Sequence, residues 1–241
     1  MSEIVPEIWF VGGVIGLAAF VQSLTGFGFA LVAVSLLPLL MDLHTAVALV
    51  VMASVVSNFV LCYYYRDSFD WQSVVRLIAA ALLTIPLGIV GLQYVPDHLA
   101  LRILGGLVLA YVLYDGLKFA LPELTSPAWA YAFGAMSGVL TGAFNTGGPP
   151  IVIYANCNSW SPEQFKGNIP GVFMASSLIA MAGHYFQGSL TIDLLQVAVY
   201  AMPFFVGGLV LGIVLSTRIN PRLFRQVVLV LLGAMSLRLI W

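Results

Sequence analysis

The residues best suited to chemistry are neutral donors gathered at two breaks in an otherwise apolar chain. The stronger break is Asn145-Thr146-Gly147-Gly148-Pro149-Pro150, with Thr141 just before it and Asn156 and Asn158 after it. Gly147 and Gly148 admit backbone angles that other residues avoid. Pro149 and Pro150 have no N–H and suit the first turn of a new helix. One helix is therefore expected to end near Phe144 and another to begin near Pro149. The fainter break is Gln22-Ser23-Leu24-Thr25-Gly26-Phe27-Gly28-Phe29. A helix start carries unbonded N–H groups and a partial positive charge. With amide and hydroxyl side chains beside it, and no Asp or Glu in either run, the chemistry is that of an anion site. The candidate binding set is Gln22, Thr25, Gly26 and Gly28 at the first break and Thr141, Asn145, Thr146, Gly147 and Gly148 at the second. Asn58 joins them from a following span, and Lys166, at the start of a later one, is either a snorkelling lysine or a cationic lip for the anion pathway. Ser54, Ser57, Ser176 and Ser177 read as helix-packing residues, the routine role of small hydroxyl side chains between membrane helices. Phe27, Phe29 and Tyr154 read as packing aromatics, with walls of a pocket as the alternative.

The elements that must hold these residues are membrane helices. The chain has 241 residues, of which 61% are hydrophobic and 8% charged, against about 25% charged in a soluble domain. Nearly all of it is expected in the bilayer. A net charge of −1 argues against a nucleic-acid partner. Met1 to Glu7 lacks a basic region, so no cleaved signal peptide is expected. Cys62 and Cys157 lie far apart without metal-ligand spacing. Neither a His/Glu metal motif, a Gly-x-Ser-x-Gly elbow nor a Walker loop is found. The acidic residues and the histidines fall at predicted segment ends, which disfavours acid–base catalysis within the membrane. No cofactor and no metal are expected, and coupling to a proton or another cation stays open.

The run from Ile8 to Met41 is uncharged. As one straight helix it would span roughly 50 Å, against a hydrocarbon core of about 30 Å. The break at Gly26–Gly28 divides it, and a re-entrant hairpin accounts for it better than a kinked span. Three spans follow, at about 45–65, 73–95 and 99–121. The prolines of the loop 122–127 mark a seam, giving a first transmembrane repeat at 1–121 and a second at 122–241. The second half repeats the plan: a long broken run from Trp129 to Cys157, then spans at about 165–186, 192–215 and 223–241. Leu24-Thr25-Gly26 matches Leu140-Thr141-Gly142, Met52-Ala53-Ser54 matches Met174-Ala175-Ser176, and Pro86 with Gly91 matches Pro203 with Gly208. The second match sets Lys166 opposite His44. Pro86 and Pro203 are expected to kink their spans beside the substrate site.

The nine basic residues test the topology. If both broken runs cross, they divide four against five. If both runs return, Arg66, Arg76, Lys118, Lys166, Arg218, Arg222 and Arg225 share one side, and Arg102 and Arg238 the other. That bias places the seven in the cytoplasm and both termini outside. Each repeat then crosses three times, so the repeats are inverted, as in secondary transporters with broken helices at the midplane. The expected fold class is an all-α integral membrane protein of two inverted repeats, each a broken, re-entrant helical hairpin followed by three transmembrane helices.

The motifs then resemble a known family. Gly142 with Gly147-Gly148-Pro149-Pro150 and the following Ile151-Val152-Ile153-Tyr154, Glu163-Gln164-Phe165-Lys166, and Thr25-Gly26-Phe27-Gly28-Phe29 are similar to those of the sulfite exporter TauE/SafE family, also called the toluene-sulfonate uptake permease family. The resemblance covers essentially the whole chain. It implies an inverted-repeat transporter, an exporter of sulfite, sulfonates or sulfoacetate, in a bacterial inner membrane. Two departures stand out. Lys166 occupies a place where the family often has Arg, a point charge in place of a bidentate fork, and Phe27 and Phe29 stand where many members have glycines.

The resulting expectation is a secondary transporter, not an enzyme, whose partners are a small anionic substrate and the lipid bilayer. The alternatives are an anion channel, or a carboxylate transporter, on the same fold. The sequence leaves the substrate, the direction, the coupling ion and the oligomeric state open, a homodimer included.

Overall fold

The computed structural model describes residues 4–117, 124, 126–216, 218 and 221–241, with Ile4–Glu7 and Pro221–Leu223 described by backbone alone. Lys118, Pro122 and Glu123 of the expected seam, the side chain of Arg222, and Met1 therefore lie outside the described residues. Those described are helical or in short connections. The helices are α1 (Ile4–Thr25), α2 (Phe29–Leu36), α3 (Leu43–Tyr64), α4 (Trp71–Gln93), α5 (Asp97–Leu117), α6 (Ala128–Phe144), α7 (Gly148–Cys157), α8 (Pro162–Phe186), α9 (Ile192–Leu215) and α10 (Pro221–Ile240). Six of them, α1, α3, α4, α5, α8 and α9, contain stretches long and apolar enough to cross a membrane. The chain is an all-helical, multi-pass membrane protein.

Helix starts are set by side chains that satisfy first-turn amides. Asp42 caps α3 through Thr45 N, Asp70 caps α4 through Gln72 N, and Thr191 caps α9 through Leu194 N. Ser161 and Gln164 form a reciprocal capping box at α8.

Both breaks fold their helices back on each other. α1 ends at Gly26, left-handed at φ 84°, whose amide donates to Gln22 O at 2.7 Å. α2 then returns along α1, so that Leu36 shares a groove with Trp9, Gly13 and Leu17. α6 ends at Asn145, left-handed at φ 56°, in a Schellman-like close: Asn145 N donates to Thr141 O and Thr146 N to Leu140 O. α7 returns along α6, with Ser137 Oγ donating to Gly147 O at 2.8 Å and the Phe133 and Tyr154 rings 6.0 Å apart. Each broken run thus folds into a helical hairpin.

The hairpins are clamped by glycine contacts. On α6, a Cβ at Gly142 would stand 2.1 Å from Ile85 O of α4, and one at Gly134 would stand 2.4 Å from Leu77 O. The two helices therefore run parallel at backbone contact, as small residues allow between membrane helices. α1 and α9 pair likewise, a Cβ at Gly208 standing 2.0 Å from Gly16 O and one at Gly212 standing 2.5 Å from Ser23 Cβ. Each hairpin's first helix thus packs on a helix of the other half, α6 on α4 and α1 on α9. α3 packs antiparallel on α8 and α5 antiparallel on α10.

The caps correct the internal register read from tripeptides. Shifting by 119 residues carries Gly26 to Asn145, Gly28 to Gly147 (both helix N-caps) and Asp42 to Ser161 (also both N-caps). The Leu-Thr-Gly match is off by three residues: Gly26 lies past a helix end, whereas Gly142 lies inside α6. The Met-Ala-Ser match is off by three the other way. Lys166 consequently faces Val47, not His44, in the register set by the caps. Periodicity explains the error, since a shift of three residues keeps the same helix face.

Candidate functional site

A cavity of about 30 Å³ lies where the hairpin tips meet the middle of α3 and α8. It is lined by Gln22 of α1, by Gly28, Phe29, Ala30 and Leu31 at the start of α2, and by Ser54 and Asn58 of α3. The second half adds Thr141 of α6, Asn145, Thr146 and Gly148 of the second break, and Phe173, Ser176 and Ser177 of α8. Seven of the expected residues therefore meet there: Gln22, Gly28, Asn58, Thr141, Asn145, Thr146 and Gly148.

Four do not line it. Thr25 faces a neighbouring cavity, its hydroxyl 2.6 Å from Phe27 O and 2.9 Å from Val21 O. Gly26 packs under the Phe165 ring. Gly147 is tucked into the hairpin, where a Cβ would meet Thr141 Oγ1 at 2.1 Å and Ser137 O at 2.6 Å. Lys166 sits in the second turn of α8 with its ammonium 5.7 Å from the Tyr65 ring centre. Pro86 and Pro203 lie inside α4 and α9, are exposed, and line neither cavity. Of the expectation that they kink their spans beside the site, the place is corrected: both are exposed and neither lines a cavity.

Side chains tie the cavity walls together. Gln22 Nε2 donates to Asn58 Oδ1 at 2.9 Å, and Gln22 Oε1 accepts from Ser57 Oγ at 2.7 Å. Asn58 Nδ2 reaches toward Ser177 Oγ at 3.5 Å. Asn145 Nδ2 donates to Ser54 Oγ at 2.8 Å. Ser176 Oγ bonds back to Val172 O. After these bonds, donors remain. The Thr141 hydroxyl is buried with no partner among the described residues. Ser54 accepts from Asn145, and its own proton has no acceptor there. Asn145 has a second amide proton.

The backbone adds more. Gly28 offers α2 no side-chain cap, and the amides of Phe29, Ala30 and Leu31 come before the first intrahelical acceptor is in reach, Val32 N being the first to bond back, to Gly28 O. At α7 the corresponding positions are Gly148, Pro149 and Pro150, so only Gly148 keeps an N–H. All the cavity-lining residues are neutral. A site with surplus donors, the positive ends of two helices and no carboxylate favours a negative guest.

Reading the sequence alone missed Ser54, Ser176, Ser177, Phe173 and the α2 residues Phe29, Ala30 and Leu31. The signal was present. Ser54, Ser57 and Asn58 lie 12, 15 and 16 residues past the α3 cap, and Phe173, Ser176 and Ser177 lie at the same distances past the α8 cap. One helix face is thereby repeated in both halves.

Comparison with known proteins gives the family. The profile of the sulfite exporter TauE/SafE family matches residues 11–239, nearly the whole chain. The chain belongs to the sulfite exporter TauE/SafE family. It is accordingly a membrane transporter and not an enzyme. A curated relative, the "probable sulfite/organosulfonate exporter TauE" of Cupriavidus necator, is 23% identical over 97% of this chain and 94% of its own length. No solved structure matches the chain.

Proposed function

We propose that this TauE/SafE protein exports a small sulfur oxyanion or short sulfonate, bound between the two hairpin tips and exposed alternately to either side. The observation that supports this most is the surplus of uncommitted donors around a cavity without charge: the Phe29–Leu31 amides, the Thr141 and Ser54 hydroxyls and the Asn145 amide. The name of the Cupriavidus relative points the same way for the substrate class. The small volume favours a compact head group such as sulfite over a long tail, since about 30 Å³ is space for two or three water-sized groups.

The membrane is the bacterial inner membrane, and the hairpins re-enter it. Helix contacts support this arrangement. α8 starts where α3 ends, Asn168 Oδ1 accepting from Asp70 N, and α5 starts where α3 starts, His44 Nε2 lying 3.5 Å from Asp97 Oδ1. Among the described basic residues, Arg66, Arg76, Lys166, Arg218 and Arg225 then share one end of the bundle and Arg102 and Arg238 the other. Placing the richer end in the cytoplasm puts both termini outside and makes the halves, 1–121 and 122–241, inverted repeats.

Purified protein should gain thermal stability from sulfite, and less from carboxylates of equal charge. Reconstituted vesicles preloaded with unlabelled sulfite should accelerate uptake of labelled sulfite. Flux without this trans-acceleration would identify a channel, and absence of stabilisation by any of sulfite, thiosulfate, taurine or sulfoacetate would contradict the substrate class.

A further inference from the structure

We propose that a second cavity beside α2 is the antechamber through which the anion reaches the central site, and that Arg225 is its anion-binding group. This proposal rests on reading the central cavity as the anion site. The second cavity, about 20 Å³, is lined by Thr25 and Phe27 of the first break, Tyr111 of α5 and Arg225 of α10. Gly28 and Leu31 line both cavities, so one turn of α2 is the wall between them. The Phe27 ring closes that wall edge-on against Tyr111, with ring centres 5.9 Å apart, and against Phe165 at 6.1 Å.

Among the described residues, Arg225 is the charged one lining either cavity. Its fork is occupied by Asp115 of α5, with Nε donating to Oδ2 at 2.7 Å and Nη2 to Oδ1. The Asp115 side chain is 5% exposed and that of Arg225 46%. Asp115 is thus enclosed, and Arg225 is the more open member of the pair. A guanidinium fork accepts a sulfur oxyanion in the same two-point geometry as a carboxylate. The central site has no cation of its own, so a cation one helical turn away concentrates anions at its door. Asp115 then acts as an internal competitor that holds the fork while the antechamber is empty and yields it to an arriving anion.

The experiment is sulfite transport by reconstituted protein, with sulfite-induced thermal stabilisation as a separate readout of the central site. Arg225→Gln should slow transport at sub-saturating sulfite about tenfold and flatten its salt dependence, while stabilisation by sulfite changes less than twofold. Asp115→Asn, which frees the fork, should lower the half-saturating sulfite concentration severalfold. Arg225→Lys should fall between wild type and Arg225→Gln. If Asp115→Asn and Arg225→Gln slowed transport equally, the pair would be a clasp between α5 and α10 only. Should both single variants fail to fold, the exchange Asp115→Arg with Arg225→Asp restores a pair; full transport by that exchange would overturn the proposal, and a folded but slow protein would support it. Failure of the central site shows differently, as sulfite stabilisation that is unchanged by substitutions at Asn145.

Discussion

The two breaks occupy equivalent places yet supply different chemistry. At the first, Gly26, Phe27 and Gly28 carry no polar side chain, and the helix that follows presents the uncapped amides of Phe29, Ala30 and Leu31. At the second, Asn145 and Thr146 supply side chains, while Pro149 and Pro150 remove the amides that match Ala30 and Leu31. One tip therefore offers backbone donors and the other side-chain donors. On the proposed function the two tips hold one anion from two unlike sides, and only one side can be tuned freely by substitution.

The comparison can be broken most severely at Gly147. Its backbone angles are ordinary, φ −67° and ψ 1°, so strain in the turn is not the issue. A Cβ there would stand 2.6 Å from Ser137 O, a main-chain atom inside the hairpin. Gly147→Ala should destabilise the protein by about 1–3 kcal/mol and lower the yield of folded protein after extraction. Gly148→Ala should not, because its Cβ would meet only the Phe27 and Phe173 rings at 3.6 and 3.7 Å. Size-exclusion profiles and thermal melts of the pair check this.

Next in size is Asn145. Because its φ is +56°, Asn145→Gly keeps the left-handed turn and removes the side chain alone. Losing one such donor costs about 0.5–1.5 kcal/mol, or up to about tenfold in affinity. Sulfite titration should show that weakening with folding retained.

A smaller effect, with opposite signs in two assays, is expected at Thr141. Its hydroxyl is buried without a partner among the described residues, so Thr141→Val should raise the melting temperature of the empty protein while weakening sulfite binding a few-fold. A hydroxyl that served packing alone would leave binding unchanged.

Much of this was legible in the sequence. The Gly-Gly-Pro-Pro run marks a helix end and a helix start through backbone rules alone, so the second hairpin was placed to within a residue or two. The uncharged length of residues 8–41 betrayed the first. Less legible were Ser54, Ser176 and Ser177, because small hydroxyl residues carry the same letters whether they pack a helix or line a cavity. Their role follows from which face of α3 and α8 turns toward the hairpin tips, and that depends on cap positions rather than on tripeptide matches. Pro86 and Pro203 misled for a related reason: an equal spacing to a glycine fixes a position along a helix but not the direction in which the ring points. Lys166 could not be placed from sequence either, since a long side chain at a helix start takes its place from its neighbours, here the Tyr65 ring.

The central claim is that backbone amides at the start of α2 share the anion with side chains of the second break. The shift of 119 residues that aligns the caps sets Ala30 opposite Pro149. Ala30→Pro therefore deletes one amide donor at a position where the other half already tolerates proline in a helix's first turn. The direct measurement is the Kd for sulfite of purified wild-type protein and of Ala30→Pro, each with its melting temperature in the absence of ligand. The account predicts an unchanged melt and binding weakened severalfold, corresponding to about 0.5–1.5 kcal/mol for one of three amides. Unchanged affinity in a normally folded Ala30→Pro protein would contradict it and would leave the first break a packing device.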